Sequence, residues 1–272
     1  MSFLDITNNE LIELGRSKHH EYINADPFPN MYFDNFFNQE HLSKVLNEFP
    51  DLRAKPDIQY NNPNEVKLAS KGEARFGEHT RAFMHFLNSE PFLNFLSALT
   101  GIDDLVPDPY FIGGGHHEIL PGGFLKMHAD FNKHPKNKLD RRINALIYLN
   151  KDWEESYGGH FQLWDKEMKE CRKKILPLFN RLAIFSTTDF SYHGHPDPLS
   201  CPPDRSRRSL ALYYYTNGRP EEEINSGLEE HNTLFKYRAG EDDTTRRKLK
   251  LKKIVELITP PIFFRIADKL KK

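Results

Sequence analysis

Between residues 105 and 217, apolar and polar positions alternate with a period of two, the spacing that sends successive side chains to opposite faces of a strand. Ile143, Ala145, Ile147 and Leu149 form one row; Asn144, Leu146 and Tyr148 form the other. Both rows are mostly apolar, which predicts a strand buried on both faces inside a sandwich. Phe161, Leu163 and Asp165 alternate with Gln162 and Trp164 in a second candidate strand. The run beginning Arg207-Arg208-Ser209-Leu210 and ending Tyr213-Tyr214-Tyr215 is rich in β-formers. Pro121-Gly122-Gly123 and Tyr157-Gly158-Gly159 are turn signals that start new strands. Earlier in the chain the period changes. Leu42, Val45, Leu46 and Phe49 recur at helical spacing behind Asn38 as N-cap, predicting a helix over 39–49. A second helix follows Ser89, with Pro91 in its first turn and Phe92, Leu93, Phe95, Leu96 and Leu99 as its buried stripe. Gly101 ends it. The stretch 50–77 is polar and turn-rich, and reads equally well as an ordinary surface connection or as a loop beside a substrate entrance.

Composition narrows the class. The chain has 272 residues, 38% of them hydrophobic, enough to bury one substantial core with appendages. Its 21 Phe and 11 Tyr suit a β-rich sandwich better than a helical bundle. The organisation expected is a helical region packing on the core over 1–104, a β core over 105–217 and a basic, amphipathic extension over 218–272. A net charge of -1 supplies no field that argues for a nucleic-acid partner. Cys171 and Cys201 imply no disulfide framework and are expected to be free thiols in a reducing compartment. The N-terminus lacks a basic stretch followed by an apolar one, and no apolar run approaches the ~20 residues of a membrane-spanning helix. A cytoplasmic location is therefore expected. Basic and apolar residues mix over 246–272, a pattern that suits peripheral contact with an anionic membrane. A tail packed on the core, or an oligomer contact, is the favoured reading. Gly113-Gly114-Gly115 has neither a following Gly-Lys-Ser/Thr nor Rossmann spacing, which sets aside a phosphate-cradling role.

The chemistry concentrates in four residues. His128 and Asp130 stand at i and i+2, so on an extended strand they project from one face and offer an imidazole nitrogen and a carboxylate oxygen to one point. A second imidazole, His193, follows the apolar run Leu182-Ala183-Ile184-Phe185 and completes a 2-His-1-carboxylate face, the arrangement that holds Fe(II) and leaves positions open for a co-substrate and O₂. Arg207 shares a strand face with Ser209, Ala211 and Tyr213, so a guanidinium and a hydroxyl are available to a carboxylate. The chain has 13 histidines, and an isolated His-x-Asp arises easily by chance; the context of the other members gives the pattern its weight. His193-Gly194-His195 is also a His-x-His of the cupin kind, but the order along the chain favours His193 over His195 as the second imidazole. His116 and His117 are read as ordinary hydrogen-bonded histidines, one of which could face the pocket.

These segments, with Arg142-Ile143-Asn144-Ala145-Leu146-Ile147-Tyr148 and Tyr157-Gly158-Gly159-His160-Phe161 in the same order, resemble the Fe(II)/2-oxoglutarate-dependent dioxygenases, in particular their prolyl 4-hydroxylase-like branch. The resemblance covers about 110–215. It implies a mainly β fold with flanking helices, a double-stranded β-helix (jelly roll) with iron at its open end. It further implies His128, Asp130 and His193 as iron ligands, and Arg207 with Ser209 as partners of the distal 2-oxoglutarate carboxylate. Asn144 and Tyr148 share a face that could line the 2-oxoglutarate pocket, with Tyr148 more simply a satisfied strand residue. The cofactors implied are Fe(II), 2-oxoglutarate and O₂ as co-substrates, and ascorbate as an accessory reductant. Asp130 fills the position that halogenases leave to chloride, which favours hydroxylation. Collagen-type prolyl hydroxylases carry lysine where Arg207 stands, so the substrate is either a prolyl residue in a peptide or a small molecule. The other readings are a cupin-like metal enzyme acting on a sugar or another small molecule, and a silent binding module, against which the intact quartet argues.

Overall fold

The structure is a computed structural model that describes residues 2–224, 227 and 230–241. Contact clustering divides the chain at 237 into a first unit over 1–237 and a second over 238–272, of which 238–241 are described. Within that short piece Arg238 and Glu241 form an ion pair at 3.0 Å. The 246–272 tail, with its proposed membrane or packing role, lies outside the described residues. Among the described residues, no helix is long and apolar enough to cross a membrane.

Four helices are described: α1 (Asn8–Ile23), α2 (Gln39–Asn47), α3 (Glu78–Leu87) and α4 (Glu90–Thr100). The α2 prediction holds at its start, where the Asn38 side chain accepts from the His41 N–H. Gly101 ends α4 in the left-handed conformation, at φ 72°. Ser89 occupies the N-cap of α4 without capping it, because its hydroxyl donates to Phe86 O instead. Helix α1, which has no clear apolar stripe in the sequence, opens on a complete capping box formed by Thr7 and Glu10.

The strands are β1 (Asn30–Phe33), β2 (Ile58–Asn62), β3 (Glu65–Ala69), β4 (Val106–Pro107), β5 (Gly115–Ile119), β6 (Phe124–Ala129) and β7 (Asp140–Tyr148). They continue with β8 (Phe161–Trp164), β9 (Cys171–Ile175), β10 (Arg181–Ser186), β11 (His193–His195), β12 (Arg207–Thr216) and β13 (Leu234–Phe235). The antiparallel order is β1-β10-β7-β12-β5-β3-β6-β11-β8-β9, a nearly closed double-layered sheet of the jelly-roll kind. One half, around β7 and β12, presents Ile143, Ala145, Ile147, Leu210 and Leu212 to the helices, where they pack in one core cluster with Leu11, Phe83, Phe95 and Leu99. The alternate residues of the same strands, among them Asn144, Leu146 and Ser209, line an interior cavity. Both faces of β7 are therefore buried, for different reasons: one against helices, the other inside the barrel.

The stretch 50–77 departs from its expectation as a connection. It carries the β2–β3 hairpin, and β3 pairs with β5 through Leu68 and Ala69 and with β6 through Glu65 and Val66. This short strand stitches the two layers together. Its signal was weak because the Glu-Val-Lys-Leu alternation is brief and the flanking residues are polar. The other end of the β6 edge is covered by β13, with Leu234 opposite Ala129 and Phe235 opposite His128.

Candidate active site

The site is built where β6 and β11 pair. His128 and His193 are directly opposed residues of this antiparallel ladder, which brings their rings to 4.4 Å between centroids. Asp130 follows one residue after β6 ends. Its carboxylate lies 3.6 Å (Oδ1) from His128 Nε2 and 3.4 Å (Oδ2) from His193 Nε2. Among the described residues, His128, Asp130 and His193 form one group of metal-capable side chains whose donor atoms all lie within 4.8 Å of one another. An octahedral face on a first-row divalent ion, with bonds of about 2.1 Å, separates its donors by roughly 3 Å.

Hydrogen bonding fixes the tautomers. His128 Nδ1 lies 2.8 Å from Lys126 O and His193 Nδ1 lies 2.8 Å from Ser191 O. A carbonyl can only accept, so each Nδ1 carries the proton and each Nε2 presents a lone pair. Burial pushes His193 down to about 3, so its ring is neutral. For Asp130, burial alone would raise the carboxyl. The Arg141 guanidinium outweighs burial and holds it well below the ordinary carboxylate range. Two imidazole nitrogens and one ionised carboxylate are the donor set that Fe(II) takes, so the residues fit the metal.

Arg141 was not singled out from the sequence. Its Nη2 lies 3.1 Å from Asp130 Oδ2, its Nε donates to Asn144 Oδ1 at 2.9 Å, and its guanidinium stacks between Phe131 and Tyr213 at 4.4 and 3.5 Å. The available signal was a charge inside a strand otherwise read as buried, since buried charges come paired. Asn144, expected along the 2-oxoglutarate wall, lines the cavity, and both ends of its amide are engaged near the metal-capable group: Oδ1 accepts from Arg141, and Nδ2 donates to Asp130 Oδ2 at 2.7 Å.

The same cavity extends to Arg207 and Ser209, with Lys67, His117 and His195 along its wall. Arg207 is buried; its Nε donates to Gly159 O at 2.8 Å and its Nη2 to the Tyr148 hydroxyl at 3.3 Å. Tyr148, read as a satisfied strand residue, thus holds the arginine. His117 lines the cavity, with Nε2 3.0 Å from Gly113 O, whereas His116 sits behind it between Phe49 and Phe76. Burial above all, then Arg207 and Lys67, holds His195 well below the ordinary imidazole range, so this ring is neutral too. Lys67 arrives on the unanticipated β3.

Gly194, between the two histidines of β11, is where the strand lies tightest on β6. A Cβ there would stand 2.7 Å from Leu125 O and 2.9 Å from Lys126 O, both backbone atoms. Gly194→Ala is expected to push β11 off β6, to destabilise the protein by about 1–3 kcal/mol, and to weaken divalent-metal binding at least tenfold by moving His193. Thermal melts and metal titration check this; an alanine variant with unaltered melting and metal affinity refutes it.

The fold and this geometry describe a jelly roll with a metal-capable His-Asp-His face and a buried arginine in one cavity. Residues 115–215 match the family model of the 2OG-Fe(II) oxygenase superfamily. The chain is similar to the prolyl 3-hydroxylase OGFOD1 of Mus musculus, 26% identical over 199 residues, covering 71% of this chain and 34% of that protein. The chain thus spans about a third of the length of the curated relatives it matches. In fold it is similar to a Pseudomonas putida prolyl-4-hydroxylase, with a TM-score of 0.55 and 15% identity, covering 75% of this chain and 100% of that one. A Trichoplax adhaerens prolyl hydroxylase solved with a hypoxia inducible factor peptide fragment gives a TM-score of 0.53 at 18% identity, covering 79% and 93% of the two chains.

Proposed function

We propose that this protein is an Fe(II)- and 2-oxoglutarate-dependent hydroxylase, with His128, Asp130 and His193 as metal ligands and Arg207 and Ser209 as the co-substrate clamp. The observation that carries the reading is the pair of tautomer-fixing bonds to Lys126 O and Ser191 O, which leave both Nε2 lone pairs converging with an ionised carboxylate. When bound, Fe(II) and 2-oxoglutarate supply the oxidising chemistry: 2-oxoglutarate is decarboxylated to succinate and CO₂, one atom of O₂ enters succinate and the other the substrate C–H bond, with ascorbate as accessory reductant.

The remaining work belongs to the chain's own residues. Arg141 and Asn144 hold Asp130 ionised and oriented. Phe185 and Phe161 pack against His193 at 4.6 and 5.5 Å, and Phe235 against His128 at 5.5 Å, which keeps water from the ligand rings. Arg207, fixed by Gly159 and Tyr148, presents its remaining N–H groups to a carboxylate. A second cavity shares His128, Asp130, Arg141 and Tyr213 with the first, and Tyr60, Phe131 and Phe235 add aromatic walls beside Glu65, Lys67 and Thr233. We assign the substrate to this second cavity. A prolyl residue of a peptide is favoured because the mouse relative is a prolyl 3-hydroxylase, and an apolar ring suits aromatic walls. A cytoplasmic location is part of this proposal, since a chain with two cysteines implies no disulfide framework.

The test is direct. Purified protein supplied with Fe(II), O₂ and 2-oxoglutarate is expected to release succinate, faster with prolyl-containing peptides, which should gain one oxygen atom by mass spectrometry. Stimulation by small metabolites alone would overturn the peptide assignment. If folded, metal-loaded protein neither binds nor consumes 2-oxoglutarate, the cupin-like or silent-module reading replaces this one.

A further inference from the structure

His195 is the one imidazole along the main cavity whose nitrogens are unused. His128 and His193 donate to backbone carbonyls, and His117 Nε2 contacts Gly113 O. His195 is 3% exposed and lines the cavity, and neither of its ring nitrogens has a hydrogen-bond partner among the described residues. A neutral imidazole carries one N–H and one lone pair, and leaving both bare in a buried position is a cost that folded proteins rarely bear without a ligand or water to meet them.

Its position says which ligand. His193 and His195 stand at i and i+2 on β11, but their cross-strand partners differ: His193 opposes His128, whereas His195 opposes Leu125, beyond a break in register. His195 is therefore displaced along β6 from the metal-capable group, and it is not a member of that group. Arg207 and Lys67 line the same cavity as His195. Among the described residues, two Arg207 N–H donors are engaged, through Nε and Nη2, and Ser209 lies on the same wall. Among the described residues lining this cavity, Asp130 is the only carboxylate, and it is engaged by Arg141 and Asn144. The Arg207 part of the cavity thus offers donors with no acidic side chain among them, a surrounding that selects an anion.

We infer that His195 donates a hydrogen bond to the distal carboxylate of the bound 2-oxo dicarboxylate, sharing that carboxylate with Arg207. The inference rests on the reading of this cavity as the 2-oxoglutarate site. It makes His195 a determinant of co-substrate affinity, separate from the metal ligands that flank it in sequence.

Calorimetric titration of the Fe(II)-loaded protein under anaerobic conditions tests it. His195→Val removes both nitrogens at modest change of volume, and His195→Gln keeps a donor. Loss of one hydrogen bond to a charged group should weaken 2-oxoglutarate binding by about 10- to 50-fold in the valine variant. Fe(II) affinity should stay within about twofold, and the glutamine variant should recover most of the loss. Binding of 2-oxobutyrate, which lacks the distal carboxylate, should be the same in wild type and variant; a merely structural defect would lower both. Unchanged 2-oxoglutarate affinity in the valine variant overturns the inference, as does loss of Fe(II) binding, which would place His195 at the metal. If the valine variant does not fold, His195→Leu, which also carries no donor, decides by the same comparison. If wild-type protein takes up Fe(II) but never 2-oxoglutarate, the function proposed above fails, and this inference with it.

Discussion

Asp130→Ala is expected to abolish both tight Fe(II) binding and succinate production, the largest single effect available in this chain. Two losses combine. The variant removes the one anionic donor of the three, and metal affinity is expected to fall by at least two orders of magnitude. It also strands the Arg141 guanidinium, which is 1% exposed and loses its carboxylate partner. Breaking a buried pair from one side costs about 3–5 kcal/mol, so the metal-free protein should melt roughly 6–15 °C lower. The two effects separate in a double variant. Asp130→Ala with Arg141→Met removes the stranded charge and should recover much of the melting temperature while still failing to bind Fe(II). Asp130→Asn, close to isosteric, should likewise fail to bind the metal. Normal succinate production by purified Asp130→Ala protein would eliminate the ligand assignment.

Arg207→Ala is expected to weaken 2-oxoglutarate binding by about 100- to 1,000-fold while leaving Fe(II) affinity within a few-fold. The arginine is 5% exposed, so its interaction with a carboxylate would be made out of water, and removal leaves the Tyr148 hydroxyl and Gly159 carbonyl without their donor. Arg207→Lys keeps the charge but cannot donate to Gly159 and Tyr148 while also presenting a fork to the ligand. An intermediate loss of about tenfold or more follows. In steady state, the KM for 2-oxoglutarate should rise much more than kcat falls. A KM equal to wild type in the alanine variant would mean that this cavity does not hold the co-substrate.

Much of this site was legible before any fold was known because its parts lie on strands, and strand geometry is simple. The i, i+2 relation of His128 and Asp130, and the shared face of Arg207, Ser209 and Tyr213, need nothing more than alternation; the last three do line one cavity. Helix α2 was readable from its cap and stripe. The reading was poorer wherever a residue's role depends on a partner distant in sequence. Tyr148 reads from the sequence as a satisfied strand residue; its contact with Arg207 joins two strands, β7 and β12, that only the sheet places side by side. Lys67 was missed because β3 has little apolar character of its own and is a strand only by virtue of pairing with β5 and β6.

The sequence by itself determined the oxygenase-like quartet, the β-rich class and the two-sided burial of the central strand, all of which follow from residue type and local period. The tertiary structure decided the rest. It opposed His193 rather than His195 to His128, through the register of β11 on β6. It brought Arg141 and Asn144 onto Asp130, and it left His195 beside Arg207 with both nitrogens bare. The physical reason is that alternation specifies which face a side chain takes, whereas cross-strand register, set by the packing of the whole sheet, specifies which side chain it meets.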